Sequence, residues 1–346
     1  MGVEIQEALD SVQDAASVLF DHDPTTRSVG VGKNGNGFGY IAIRNIKAPV
    51  AYAAKFGLGG QAAMPEKFRG IPIHYQNSTA DPSSLARVPH TGPASPGVGS
   101  LIPEQQLHRP LACGLQIQNF DDDDREGELA KGFMIIGTLG CFVELANHAV
   151  AILSNNHVVA GENRGQIGKD RILQPGNFSF DPAMHVATLS DFAQLVASPS
   201  GASIVGGSVV YNDIDAGVAS LSLGQIHVQS YLPGRLAAGP KGTATATVND
   251  RVHKVGRTTG LTYGEVKQVG VVVGPVGYGI GGCWFRQSII IEGVNGTTFS
   301  DHGDSGSAIV RDSDGMVLGL LYAGNGTQTY ACPIGSVMSR LNCRLA

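Results

Sequence analysis

Charge is scarce in this sequence: Asp, Glu, Lys and Arg make up 15% of 346 residues, and the net charge is only −5. The 24 Lys and Arg residues are scattered rather than gathered in a stripe. That excludes the electrostatic footprint a phosphate backbone requires, so nucleic acid is not an expected partner. No apolar run reaches the roughly 18 residues of a membrane-spanning helix. Met1-Gly2-Val3-Glu4-Ile5-Gln6-Glu7 carries neither the basic segment nor the apolar core of a secretion leader. A soluble, cytoplasmic protein with no membrane partner is expected. The five cysteines (Cys113, Cys141, Cys283, Cys332 and Cys343) are an odd number without a C-x-x-C pair, which suits neither a disulfide framework nor a zinc site. They are expected to be reduced thiols, mostly in the core, and no metal or other cofactor is expected.

Glycine is abundant instead. The 48 glycines are about twice the usual share, a balance that suits β-sheet with many tight turns. Residues 3 to 20 put Ile5, Ala8, Leu9, Val12, Ala15, Ala16 and Leu19 on one helical face, which predicts an amphipathic helix. Ser28 to Gly32 and Phe38 to Ile43 flank Asn34-Gly35-Asn36-Gly37, the signature of a hairpin. Gly30-Val31-Gly32-Lys33-Asn34-Gly35 also matches a dinucleotide-binding fingerprint, but no helix pattern follows it, so the nucleotide reading is rejected. Seven of the 17 prolines fall between Gly70 and Pro110, where a linker is expected. The acidic stretch 121–128 lacks the ordered ligand spacing of a calcium loop and reads as a solvated loop. Beyond residue 130, short apolar or alternating runs predict the strands of a barrel or sandwich. These runs are Phe133–Val143, Val150–Leu153, Val205–Tyr211, Val266–Val273, Gln287–Ile291 and Met316–Tyr322.

Three segments carry chemistry. A serine hydroxyl attacks a peptide carbonyl only with an imidazole base, a carboxylate to orient that base, and N–H donors for the oxyanion. Ala151-Ile152-Leu153-Ser154-Asn155-Asn156-His157 runs from an apolar strand into a polar turn, which places His157 at a strand end. Asn212-Asp213-Ile214-Asp215-Ala216-Gly217-Val218 offers a carboxylate entering an apolar strand, and Asp215 suits burial better than Asp213 because the apolar run begins directly after it. His302-Gly303-Asp304-Ser305-Gly306-Ser307 offers Ser305 as nucleophile, with the N–H groups of Gly303 and Ser305 as oxyanion donors. Ser307 stands where an α/β-hydrolase elbow needs glycine, and the order His, Asp, Ser differs from that class.

With those residues, the chain resembles the chymotrypsin-like (trypsin-like) serine peptidases over roughly residues 110 to 346. Val255-Gly256-Arg257-Thr258-Thr259-Gly260 is similar to a hairpin of bacterial members. Gly140-Cys141, Leu153 to Val158, Ile172 to Gly176 and Gly319 to Gly324 resemble a bacterial group related to the plant narrow-leaf proteases. The resemblance implies a mainly β fold of two antiparallel β-barrels of chymotrypsin type, preceded by a small N-terminal α+β segment. It divides the chain into a helix and hairpin segment (1–75), a Pro-rich linker (76–110), a first barrel with His157 and Asp215 (111–230) and a second barrel with Ser305 (231–346). A protein or peptide substrate follows, and Phe299, Tyr322 and Gly324 are set along the substrate pocket.

The sequence departs from the family in three places. Ile204-Val205-Gly206-Gly207 resembles an activation terminus, but cleavage there would cut the first barrel, so it reads as strand and turn. Asp304 must therefore be held by backbone N–H groups or by Arg257. Phe299 stands where an aspartate would select Arg or Lys, which predicts cleavage after small or apolar residues, and Tyr322 replaces a serine that would bond the triad aspartate. Gating by the N-terminal segment or a partner is expected, and a homo-oligomer or a regulatory partner is the expected kind of assembly. A protease-fold scaffold that has lost catalysis is the alternative.

Overall fold

The computed structural model describes residues 3–35, 37–47, 64–84, 87–89, 102–127, 133–202, 204, 206–235, 237 and 239–346. Much of the expected linker, including 90–101, lies outside the described residues, as do Asn36 of the hairpin turn, Val205 and the last residue of the acidic stretch. The protein is mainly β, with 45% of the described residues in strands and 14% in helices, and an N-terminal helix.

Among the described residues, one sheet holds nine strands, all paired antiparallel, ordered from Cys343–Leu345 through Cys141–Leu145, Val150–Ser154, Gly217–Leu221, His185–Phe192, Arg171–Leu173, Gln116–Asn119 and Phe133–Thr138 to Arg87–Pro89. In the larger sheet, Gly281–Gly293, Gln328–Pro333, Met316–Gly324, Ala308–Arg311, Arg251–Gly256 and Gly260–Tyr278 pair antiparallel in turn, and the last pairs back to the first. That ring is a closed barrel, which removes exposed edges. Its interior holds Val252, Val266, Ile291, Phe299, Ile309, Leu318 and Leu321.

The N-terminal hairpin continues the second sheet rather than standing apart. Thr26–Asn34 pairs with Gly37–Asn45 and also with the long strand Gly260–Tyr278, Val29 lying opposite Val272. A Cβ at Gly30 would sit 2.5 Å from a Val271 methyl, so glycine there lets the two backbones approach, and this accounts for the fingerprint-like spacing. The helix Val3–His22 buries Ala8, Val12, Ala15, Ala16 and Leu19 against Val29, Val31, Tyr40 and Val272, and Ser11 Oγ and Tyr40 Oη share a 2.6 Å hydrogen bond.

Two expectations fail. The acidic stretch is a helix, Phe120–Arg125, whose N-cap Asn119 accepts from the Asp122 N–H. Asp121 pairs with Arg171, and Asp122 with Arg164 and Arg125. Asp123 accepts from Gln118 Nε2 and the Ile135 N–H, so Asp122 and Asp123 are buried. Arginines distant in sequence neutralise what reads locally as a solvated run. The run Val205–Tyr211 also forms no strand over its described residues before Tyr211, because Gly206 and Gly207 turn the chain, Gly207 at φ 65°. The five cysteines are free thiols, and all but Cys343 are buried.

Candidate active site

Strand Val150–Ser154 carries the chain to a one-turn helix, Asn156–Val159, that presents His157. Two buried asparagine amides brace this turn. Asn155 Nδ2 donates to the Asp215 carbonyl at 2.6 Å, and Asn156 Nδ2 donates to Asn163 Oδ1 at 2.8 Å and to the Ala193 carbonyl at 2.6 Å. Asp215 stands just before the strand Gly217–Leu221, which pairs with Val150–Ser154, so two adjacent strands deliver the histidine and the carboxylate together. His157 Nδ1 hydrogen-bonds Asp215 Oδ2, and the His157 backbone N–H donates to Asp215 Oδ1 at 3.3 Å. Asp213, the alternative, lies exposed and ion-pairs with Arg286.

Ser305 comes from the second barrel, in the turn before Ala308–Arg311. Its carbonyl accepts from the Thr138 N–H at 2.7 Å, and the Gly303 carbonyl accepts from Thr138 Oγ1 at 3.0 Å. The nucleophile turn is thereby fastened to a strand of the other sheet. Gly306 donates to the Leu321 carbonyl at 2.8 Å and takes φ 92°; a Cβ there would also strike Ser154 Oγ at 2.1 Å. Gly137 is the spacer between the two halves: a Cβ on it would meet Val158 at 2.5 Å and the Ser305 carbonyl at 2.8 Å. His157 Nε2 and Ser305 Oγ are both buried, and neither has a hydrogen-bond partner among the described residues. One is an imidazole nitrogen whose other nitrogen faces a carboxylate, and the other is a serine hydroxyl. The N–H groups of Gly303 and Ser305 likewise have no acceptor among the described residues.

Asp304, fully buried, is surrounded by donors. It accepts from the Thr258 N–H (2.8 Å), the Thr259 N–H (3.2 Å), Thr259 Oγ1 (2.7 Å) and the Asp301 N–H (3.0 Å). Its cation is Lys254, 3.2 Å away and equally buried. Arg257, the expected candidate, instead donates from Nε to Gln116 at 3.1 Å. Burial pushes the Lys254 ammonium below the usual lysine range, against the pull of Asp304.

Of the residues expected along the pocket, Phe299, Tyr322 and Gly324 are all buried. Phe299 is packed inside the second barrel, and the Tyr322 hydroxyl is shared with Ser288 at 2.9 Å. Tyr322 therefore does not substitute for the serine donor to Asp215. That role is filled by Tyr278, whose hydroxyl donates to Asp215 Oδ2 at 2.8 Å. Burial, reinforced by the Asp215 charge, raises the Tyr278 pKa well above the phenol range, so it remains a donor. Its ring also stands edge-on to His157, 5.7 Å between centroids. If Ser305 is a nucleophile served by His157, Tyr278 would act as a positioning residue through Asp215. Tyr278→Phe is expected to reduce Ser305 reactivity about tenfold, the scale of a hydrogen bond to a charged group. A rate equal to that of wild type would remove Tyr278 from the site.

Among the described residues, no helix is long and apolar enough to cross a membrane, and no cluster of three or more metal-ligating side chains occurs. No protein-family model matches the chain, and no curated protein matches it. Solved structures that it is similar to include a Nocardiopsis protease (16% identity over 61% of this chain and 92% of that one, TM-score 0.43). A glutamic-acid-specific serine protease that uses a histidine triad in substrate binding matches at 16% identity over 68% of this chain and 100% of that one, with a TM-score of 0.45. A Cellulomonas bogoriensis chymotrypsin matches at 17% identity over 60% of this chain and 90% of that one, with a TM-score of 0.40. These likenesses concern the fold.

Proposed function

We propose that the protein is a cytoplasmic serine endopeptidase that hydrolyses peptide bonds of protein substrates through an acyl-enzyme, without metal or cofactor. The observation that carries this reading is that the His157–Asp215 pair and Ser305 are all buried, with His157 Nε2 and Ser305 Oγ both left without partners among the described residues. In this reading His157 Nε2 takes the Ser305 proton as Oγ attacks the carbonyl, and later gives it to the leaving amine. Asp215 holds the imidazole in the tautomer with the proton on Nδ1 and stabilises its charge. The Gly303 and Ser305 N–H groups receive the oxyanion, an interaction worth about 10²–10³ in rate per donor. The catalytic unit is proposed as lobes 111–230 and 231–346, with 1–75 as an appended segment joined through 76–110.

A scaffold reading draws support from one observation: Ser305 and His157 are 0% and 1% exposed, whereas a working nucleophile must meet its substrate. A fluorophosphonate probe separates the two readings. Labelling of the wild type that disappears in Ser305→Ala supports the peptidase; no Ser305-dependent labelling supports the scaffold.

A further inference from the structure

Shortly after His157 the chain turns through the left-handed region. Gly161, Glu162 and Asn163 follow one another at φ 51°, 56° and 80°. Glycine and asparagine adopt this conformation readily; glutamate does not, and it stays there only when its surroundings over-determine it. Asn163 supplies that constraint. Its N–H donates to Asn156 Oδ1 at 3.0 Å, Asn156 Nδ2 donates back to its Oδ1 at 2.8 Å, and its own amide donates to the Leu195 carbonyl at 2.8 Å. The turn is therefore tied to the residue that immediately precedes His157. Held in this way, the Glu162 carboxylate meets the tip of the long hairpin formed by Gly260–Tyr278 and Gly281–Gly293. It accepts from the Gly279 N–H at 3.0 Å and from the Ile280 N–H at 2.9 Å, one oxygen to each. A Cβ on Gly279 would stand 2.9 Å from Glu162 Oε2, so glycine there admits the carboxylate to the backbone. The residue just before these two N–H groups is Tyr278, whose hydroxyl donates to Asp215.

We propose that Glu162 is a positioning residue for the triad: by pinning the turn of the hairpin it holds the Tyr278 hydroxyl on Asp215 and, through Asp215, sets His157. The inference rests on the peptidase reading. Asp215 stands beside a strand of the nine-stranded sheet, whereas Tyr278 arrives from the larger sheet, so their bond spans the two halves. The tip that must keep this register is rich in glycine, with Gly277, Gly279, Gly281 and Gly282 around Tyr278 and Ile280. Such a backbone has the most conformational freedom to lose on ordering. The shaft of the hairpin is tied across by the Ser198 N–H, which donates to the Gly282 carbonyl at 2.9 Å. Glu162 meets the turn itself, and two N–H groups on one carboxylate, each about twice as strong as a neutral bond, fix both its place and its direction. Because the tip lies at the surface, Ile280 being 37% exposed, loss of this pair is expected to show in reactivity rather than in global stability.

The test uses the full chain and a fluorophosphonate, with labelling followed over probe concentration. Glu162→Ala is expected to lower the limiting rate of Ser305 labelling about tenfold, as far as Tyr278→Phe does and no further. The probe concentration that gives half this rate, and the denaturant midpoint, should stay at wild-type values. Glu162→Gln, which keeps one acceptor oxygen, is expected to lose only about threefold. The double variant carries the decision. In the Tyr278→Phe background, Glu162→Ala is expected to change the rate by less than about twofold, because the hydroxyl it holds in place is already gone. A Glu162→Ala rate equal to wild type, or a further loss of about tenfold in the Tyr278→Phe background, overturns the inference while the peptidase stands. If the wild type shows no Ser305-dependent labelling, the peptidase reading falls and the inference falls with it.

Discussion

Asp215→Asn is expected to slow fluorophosphonate labelling of Ser305 about 10⁴-fold with the fold intact, the scale seen when a triad carboxylate is replaced by its amide. The reason lies in the donors around the carboxylate. The His157 ring nitrogen, the His157 backbone N–H and the Tyr278 hydroxyl all face its two oxygens, and two of the three share Oδ2. An amide puts an NH₂ where one oxygen stood. If it faces His157, the imidazole must turn its unprotonated nitrogen toward residue 215 and carry its proton on Nε2, where it can no longer accept from Ser305. If it faces the backbone N–H, that buried donor loses its acceptor. The first arrangement disables the base outright; the second keeps its tautomer but removes the charge that stabilises the imidazolium, and neither opens a cavity. Labelling rates that differ by less than about tenfold would mean that Asp215 does not orient His157.

Much of this site was legible because its residues announce themselves locally. The apolar strand before His157, the small residues after Asp215 and the glycines around Ser305 each place a polar group at the end of a buried element. The structure puts all three groups where those patterns point. Choosing Asp215 over Asp213 needed only the burial argument: Asp215 is buried and Asp213 pairs with Arg286 at the surface. Contacts that depend on a distant partner were not legible. Tyr278 lies 63 residues from Asp215, at the end of a long strand whose sequence gives no hint of what its last residue meets. The acidic helix was misread because Arg164 and Arg171, which neutralise it, follow 42 and 50 residues after their partners. Ser83–Ser84 is too short for any periodicity, and its Pro-rich surroundings read as linker. Lys254 did leave a signal. In the strand Arg251–Gly256 it shares a face with Val252, so alternation alone points a lysine into the barrel, where only a buried acid makes it tolerable.

That lysine sets the second large effect. Its three ammonium protons have three acceptors, Thr259 Oγ1, the Gly260 carbonyl at 3.1 Å and Asp304 at 3.2 Å, so the group is fully satisfied without water. Lys254→Met removes the cation but leaves Asp304 buried with its charge. Breaking a buried pair from one side costs about 3–5 kcal/mol, whereas replacing both partners with uncharged groups is often close to neutral. Denaturant unfolding of Lys254→Met is therefore expected to show a loss in that range, with Lys254→Met/Asp304→Asn recovering most of it. Function is expected to separate the two variants from stability. Asp304 immediately precedes Ser305 and its carbonyl accepts from Ser307 Oγ at 2.6 Å, so the carboxylate anchors the turn that aims the nucleophile. The double variant should regain stability yet label slowly, because the asparagine side chain keeps only one oxygen for the four donors that now hold Asp304. A double variant as reactive as wild type would show that the backbone of the turn, rather than the buried carboxylate, sets the position of Ser305.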